Sequence, residues 1–167
     1  MLKGTIDTRT PTFSEFTDDN AVFFDTINRQ WIEEMFMLEP IDERVLTRPR
    51  DEIINKGGRI FFVSTQEYGV VGTCALMKMG PSRYELTKMG VLGSARGLKI
   101  GEQLLRHVLH EATTMQIEEL FLLTNAKCEA AIHLYEKLGF EHSDEILQKY
   151  GREYARCNVA MLYNPCR

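Results

Sequence analysis

The stretch "VLGSARGLKIGEQLL", residues 91–105, constrains the fold more than any other part of the chain. It sets Gly93, Gly97 and Gly101, with Arg96 and Lys99 among them, between a strand-like run and a helix-like run. A purely structural turn between strand and helix is usually served by one or two special residues. Clustered glycines and cations point instead to a backbone held open for a charged ligand. The first-turn N–H groups of a helix have no partners within the helix, and the dipole there favours an anion. A plain strand-to-helix connection is the competing reading, so the flanks decide. Two rival motifs are absent: neither the GxxxxGK[ST] spacing of a P-loop nor a GxGxxG opening an early βαβ unit is present.

Downstream, "KIGEQLLRHVLHEATTMQ" places Ile100, Leu104, Leu105, Val108, Leu109, Ala112 and Met115 on one face of a long amphipathic helix. "ELFLLTN" is a short continuous apolar run, hence a buried strand, and the strand, helix, strand succession predicts a parallel pair. "CEAAIHLYEKLGF" reads as a helix to Leu138, stopped by Gly139, with Phe140 opening a strand; "YARCNVAMLY" closes the chain as another. Upstream, "RIFFVST", "YGVVGTCALMKMG" and "SRYELTKMGVL" form a β-meander turning at Gly80-Pro81. The first third reads as helical: "DDNAVFFDTINRQWIEEMF" has apolar residues at near-helical spacing, and a second short helix follows Pro40, ending at Gly57-Gly58.

The chain has 167 residues, 44% of them hydrophobic, with no repeat or linker-like tract, and residues 1–167 therefore read as one domain able to bury a core. A net charge of −4 without a basic cluster argues against a nucleic-acid partner but suits a cationic substrate. Cys74, Cys128, Cys157 and Cys166 show neither CxxC nor Cys/His ligand spacing, so reduced thiols in a cytoplasmic setting are expected, and no metal. The N-terminus has no apolar leader-like region, and no window approaches the roughly 18–20 apolar residues of a membrane span.

From about residue 20 to its end the chain resembles the GNAT N-acetyltransferases: a strand, a glycine-rich turn, an amphipathic helix, a buried strand, then a helix ending "LYEKLGF". The resemblance implies an α/β (α+β) fold, a mixed, mostly antiparallel sheet of six or seven strands flanked by about four helices. In that family a turn of pattern Gln/Arg-x-x-Gly-x-Gly/Ala holds the pyrophosphate of acetyl-CoA. Here it reads Arg96-Gly97-Leu98-Lys99-Ile100-Gly101, followed by Glu102, with Lys99 standing at the first glycine position. The substitution removes backbone freedom and adds a cation near the expected phosphates.

"YELTKMGV" supplies the second match. Glu85 lies five residues before Gly90, where the family often carries a strand glutamate as general base; the backbone of Met89, Gly90 and Val91 would pair with the pantetheine arm. Strand alternation predicts Arg83, Glu85, Thr87, Met89 and Val91 on one face, and Tyr84, Leu86, Lys88 and Gly90 on the other. The chemistry accounts for a base: an alkylamine of pKa ~10.4 costs about 4.6 kcal/mol to deprotonate at pH 7. A carboxylate takes that proton directly or through water, given a raised pKa.

The third match is Tyr135, spaced from Ala131 as the family's general-acid tyrosine is from its alanine, and set to protonate the departing thiolate. The family's asparagine position is Cys128, with Asn125 one turn earlier, and either is a candidate for the pantetheine contact. Other features read as ordinary. His107, His110 and Glu111 fall on the polar face of the long helix, His133 is similar, and Trp31, Phe36 and Met37 are core candidates in the region where the family builds its acceptor pocket. Glu33, Glu34 and Glu39 there are solvated residues able to attract an amine.

The resemblance therefore implies transfer of an acetyl group from acetyl-CoA to a primary amine, with Glu85 and Tyr135 catalytic. A polyamine, an amino acid, an antibiotic and a protein N-terminus all stay open as acceptors, and a homodimer is compatible. A regulator that binds acyl-CoA without turnover would use the turn but neither Glu85 nor Tyr135. A pure interaction module would leave the glycines and cations without a purpose.

Overall fold

The computed structural model describes residues 10–96 and 99–164. Strand β1 (Thr12–Glu15) precedes helices α1 (Ala21–Met35) and α2 (Pro40–Thr47) and a π-helical turn at Arg50–Ile54. The meander follows as β2 (Arg59–Thr65), β3 (Gly69–Gly80) and β4 (Arg83–Val91). Helix α3 (Ile100–Thr114), β5 (Glu119–Thr124), α4 (Glu129–Lys137), β6 (Phe140–His142), α5 (Asp144–Tyr150) and β7 (Val159–Tyr163) complete the order. The sheet runs β1-β2-β3-β4-β5-β7-β6, with β4 and β5 parallel and every other pair antiparallel.

Two elements escape the sequence reading. β1 is short and mostly exposed, adding an edge strand where only helix was expected. α5 raises the α-helices among the described residues to five, against about four expected. Its signals are present in "SDEILQKYG": Ser143 caps it by accepting from the Ile146 N–H at 3.3 Å, Asp144 and Glu145 fill the first turn, and Gly151 ends it.

The sheet is covered on both faces, so β2 is apolar almost throughout rather than alternating. Phe61, Val63, Cys74, Leu76, Tyr84, Leu86, Leu120 and Leu122 pack against the apolar stripe of α3 and against α4. On the opposite face Ile60, Phe62 and Ala75 pack with Phe24 and Ile32 of α1 and Val45 and Leu46 of α2, while Phe121 and Ala160 meet Ile146 of α5. That second face thus has two separate coverings, with the junction of β4 and β5 between them.

At this junction the sheet comes apart. β4 and β5 pair only from Arg83/Glu119 to Leu86/Leu122, although β4 continues to Val91 and β5 to Thr124. Beyond Leu86, β4 keeps its partner β3 but is an open edge toward β5. A bulge falls on the same segment: Thr73 pairs with Gly90 but Ala75 with Thr87, so β4 spends one extra residue, and Lys88 takes a left-handed φ of 52° there.

The bulge corrects the predicted alternation. Tyr84, Leu86, Met89 and Val91 all belong to the α3 side. Glu85, Lys88 and Gly90 belong to the α1/α2 side, where Lys88 meets Asp42 and a Cβ at Gly90 would fall 2.5 Å from Trp31. Glu85 and Gly90, an odd number of residues apart, share a face only because of the inserted residue. Glycine at 90 is what lets the Trp31 indole lie across the strand.

Candidate active site

The splayed strands enclose a cavity of about 60 Å³. Thr87, Lys88 and Met89 form one side and Leu122, Leu123 and Thr124 the other; Asn125 and Cys128 of the loop into α4 and Tyr135 of α4 close it, and Trp31, Phe36, Tyr154, Arg156 and Cys157 line it from the opposite face. Glu85 opens into it as well. The residues expected to act are therefore together: Glu85 reaches the cavity from the α1/α2 face and Tyr135 from the α3/α4 face.

Glu85 is 2% exposed and takes part in no ion pair among the described residues. Burial pushes its carboxyl up to about 8, with Glu153 reinforcing the rise and Lys88 opposing it. Such a carboxyl is a far better proton acceptor than an ordinary glutamate. Tyr135 is also buried, its hydroxyl 3.9 Å from the Met89 Sδ and its ring edge-on to Phe140. Burial raises its pKa, so the phenol keeps its proton until a strong base arrives.

Asn125 and Cys128 both line the cavity, but differently. The Asn125 carboxamide is committed to backbone, donating to the Arg156 carbonyl at 2.6 Å and accepting from the Lys127 N–H at 2.8 Å. Cys128 opens α4, its N–H donating to the Asn125 carbonyl at 2.9 Å.

The turn toward α3 lies beside this cavity. Gly97 and Leu98 lie outside the described residues. Lys99 precedes α3 in the left-handed region, φ 58°, the conformation that a glycine adopts without strain. Among the described residues no side chain caps α3, which leaves the first-turn N–H groups of Ile100, Gly101 and Glu102 available to an anion. The Glu102 side chain turns away to Lys137 at 2.5 Å and Arg106 at 3.5 Å, so only its backbone is oriented for that role. Arg96 is paired with Glu34 at 3.3 Å, both exposed. A Cβ on Gly101 would sit 3.8 Å from Val91 and 3.9 Å from Leu134 and Met89, which ties the turn to the open end of β4.

Sequence reasoning missed the charge cluster behind β4. The Lys88 Nζ donates to the Asp42 Oδ1 at 2.8 Å and the Tyr154 hydroxyl at 3.1 Å. Arg156 grips both Asp42 oxygens, at 2.5 and 2.8 Å, and reaches Glu39 at 3.0 Å. Burial acts to raise the Asp42 pKa, but the Arg156 and Lys88 bonds overcome it and hold the carboxyl at about 2. Lys88 is pulled down by burial against the attraction of Asp42. Glu39, expected to be solvated, instead caps α2 and also accepts from the Ala155 N–H at 2.8 Å. Cys157 joins the cavity wall with its thiol pushed up to about 11 by burial, so it is a weak nucleophile.

Trp31 and Phe36, read as core, form the outer wall of the cavity, while Met37 is 83% exposed. His107 and Glu111 are not merely solvated: the imidazole stacks on Phe13 at 4.3 Å, and Glu111 pairs with Arg59 at 2.9 Å. Among the described residues no three His, Cys, Asp or Glu side chains gather as metal ligands, and no helix is long and apolar enough to cross a membrane.

Comparison with known proteins agrees with this geometry. The family model described as "Acetyltransferase (GNAT) domain" matches residues 57–142, from the turn just before β2 to the end of β6. An Escherichia coli K12 protein named "Uncharacterized N-acetyltransferase YjgM" is 32% identical over 114 residues, 66% of this chain and 67% of the relative. A GNAT-family acetyltransferase from Staphylococcus aureus Mu50 superposes with a TM-score of 0.82 at 21% identity, over 93% of this chain and 99% of the other. A Vibrio cholerae spermidine N-acetyltransferase, solved with CoA and spermine, has a TM-score of 0.68 at 16% identity, covering 92% and 94%. A sheet opened between β4 and β5, an uncapped α3 at its mouth and these matches lead to one conclusion: the chain belongs to the GNAT acetyltransferase family.

Proposed function

We propose that this protein transfers an acetyl group from acetyl-CoA to a primary amine by direct attack. The observation that carries the reading is the shared cavity: a buried carboxyl with a raised pKa and a buried phenol enter it from opposite faces of an opened sheet. The first-turn amides of α3, with Lys99 and Arg96 nearby, would hold the pyrophosphate. Met89, Gly90 and Val91 lie on the free edge of β4, where an extended pantetheine arm can add as a strand and where backbone donors can polarise the thioester carbonyl. Asn125 and Cys128 border the same space.

Glu85, directly or through a water, takes a proton from the ammonium. The free amine nitrogen bonds to the acetyl carbon as the C–S bond breaks, and Tyr135 gives its proton to the departing thiolate. The second proton of the acylated nitrogen returns to the Tyr135 phenolate, directly or through water, leaving the neutral amide while Glu85 releases its proton to solvent. The spermine bound to the Vibrio cholerae enzyme of the same fold supports a small amine as acceptor.

The test couples binding to turnover. Acetyl-CoA at 100 times its Kd should stabilise the protein by about 2.7 kcal/mol, and amines should drive release of free CoA thiol. A thermal shift without amine-dependent thiol release would indicate a binder instead of an enzyme. No shift at all would remove the CoA site.

A further inference from the structure

The acceptor side of the cavity has an unusual charge balance. Among the described residues the carboxyl groups of Glu85, Asp42, Glu39 and Glu153 gather there with two cations, Lys88 and Arg156. Neither cation carries uncompensated charge. Lys88 is bound to Asp42 at 2.8 Å with Tyr154 over it, its ring centroid 4.4 Å away. Arg156 is held by both oxygens of Asp42 and by Glu39, with the Tyr154 ring 4.8 Å from its guanidinium carbon. At the rim Arg96 faces Glu34, while the exposed Lys127 stays in solvent, donating to the Met35 carbonyl at 2.8 Å with its Nζ 5.3 Å from the Phe36 ring. A carboxylate entering with the acceptor would lose its water beside Glu85, where the two described cations of the cavity wall, Lys88 and Arg156, are already paired. A cavity of about 60 Å³ holds only a few water-sized groups, which disfavours a branch beside the amine.

We infer that the acceptor is an unbranched primary amine, R–CH2–NH2, and that α-amino acids are rejected. Two features produce this selectivity: the ion pairs of Asp42 and Glu39 with Lys88 and Arg156, and the narrow space in front of Glu85. The inference rests on the acetyl-transfer reading of the same cavity.

The test compares amines that differ only by an α-carboxylate: butylamine with norvaline, and phenethylamine with phenylalanine. Free CoA release is followed at saturating acetyl-CoA. The amine of each pair should exceed its amino acid by about 100-fold or more in kcat/KM, because a desolvated, unpaired charge is costly. A ratio under about tenfold overturns the inference. If no amine is acetylated while acetyl-CoA still raises Tm, the transfer reading itself fails, and the inference with it.

Asp42→Asn probes the cause. It frees the charge of Lys88 and Arg156, so the ratio should shrink by about tenfold or more, chiefly through a lower KM for the amino acid. Glu39→Gln removes one of the two carboxylates that Arg156 binds, leaving one unit of positive charge in the cluster uncompensated, and keeps the buried Asp42 in place, so it serves if the first variant does not fold. An unchanged ratio in a folded variant of either kind overturns the role given to the ion pairs.

Discussion

The turn before α3 and the charge cluster behind β4 both serve one cavity, yet they are built in opposite ways. The turn is a run of neighbouring residues, Arg96 to Glu102, and the pyrophosphate binding proposed for it would use backbone amides at a helix start. The cluster draws Glu39 and Asp42 from α2, Lys88 from the β4 bulge, and Tyr154 and Arg156 from the segment before β7. Its bonds span 46, 66, 114 and 117 residues of sequence. A local device can be altered cheaply; a long-range device in low dielectric costs far more when one member is lost.

The largest expected effect follows from that difference. Asp42→Ala leaves Lys88 and Arg156 without their shared carboxylate, which should cost about 3–5 kcal/mol in urea unfolding. The acid limb should change too. The Asp42 carboxyl lies at about 2 when folded, below its unfolded value, so its contribution is present at neutral pH and lost as pH falls from about 4 toward 2. The variant should lack that part of the acid transition. A loss under about 1 kcal/mol would show that the cluster is a surface network in effect.

Glu85→Gln should lower turnover by about 100-fold with acetyl-CoA affinity intact. Stability should move the other way. A carboxyl raised to about 8 in the folded protein stabilises fully below its unfolded pKa of about 4.3, and that stability is lost as pH climbs toward 8. Above pH 8 the glutamine variant should therefore be the more stable by about 1–3 kcal/mol, read from unfolding curves at several pH values. Equal stability across pH would mean that Glu85 is solvated.

Tyr135→Phe keeps the ring and its contact with Phe140, so it separates packing from chemistry. Turnover should fall about tenfold, or 1.4 kcal/mol, at unchanged acetyl-CoA KM and Tm. Full activity below pH 8 would remove the general-acid role.

The turn should give the smallest response. Lys99→Gly relieves a left-handed lysine and raises stability by about 0.5–1 kcal/mol, while the acetyl-CoA KM rises by only a few-fold through the lost cation. A large rise in KM would make Lys99 a principal phosphate ligand.

The same contrast explains what the sequence disclosed. The apolar stripe of α3, the buried run of β5 and the Gly139 stop of α4 are local patterns, and the parallel pairing of β4 and β5 follows from them, whereas the edge strand β1 and the insertion of β7 between β5 and β6 do not. That Glu85, Met89 and Tyr135 would border one site was legible because they lie at fixed spacings from glycine or alanine in the chain, and all three line the cavity. The face that Lys88 presents was not, since a one-residue bulge has no strong signature and reverses the alternation beyond it. Nor was the commitment of Glu39 to Arg156: a glutamate followed by a proline reads as solvent-facing until a segment more than a hundred residues away folds over it.

The central claim is that Glu85 opens the acceptor side of the cavity as the base. The pH dependence of kcat, measured as CoA release at saturating acetyl-CoA and amine, tests it most directly. The account predicts an acid limb near pH 8 in the wild-type protein that vanishes in Glu85→Gln, whose residual rate is low and flat across that range. A wild-type kcat that is constant down to pH 6, or an unchanged limb in Glu85→Gln, would contradict it.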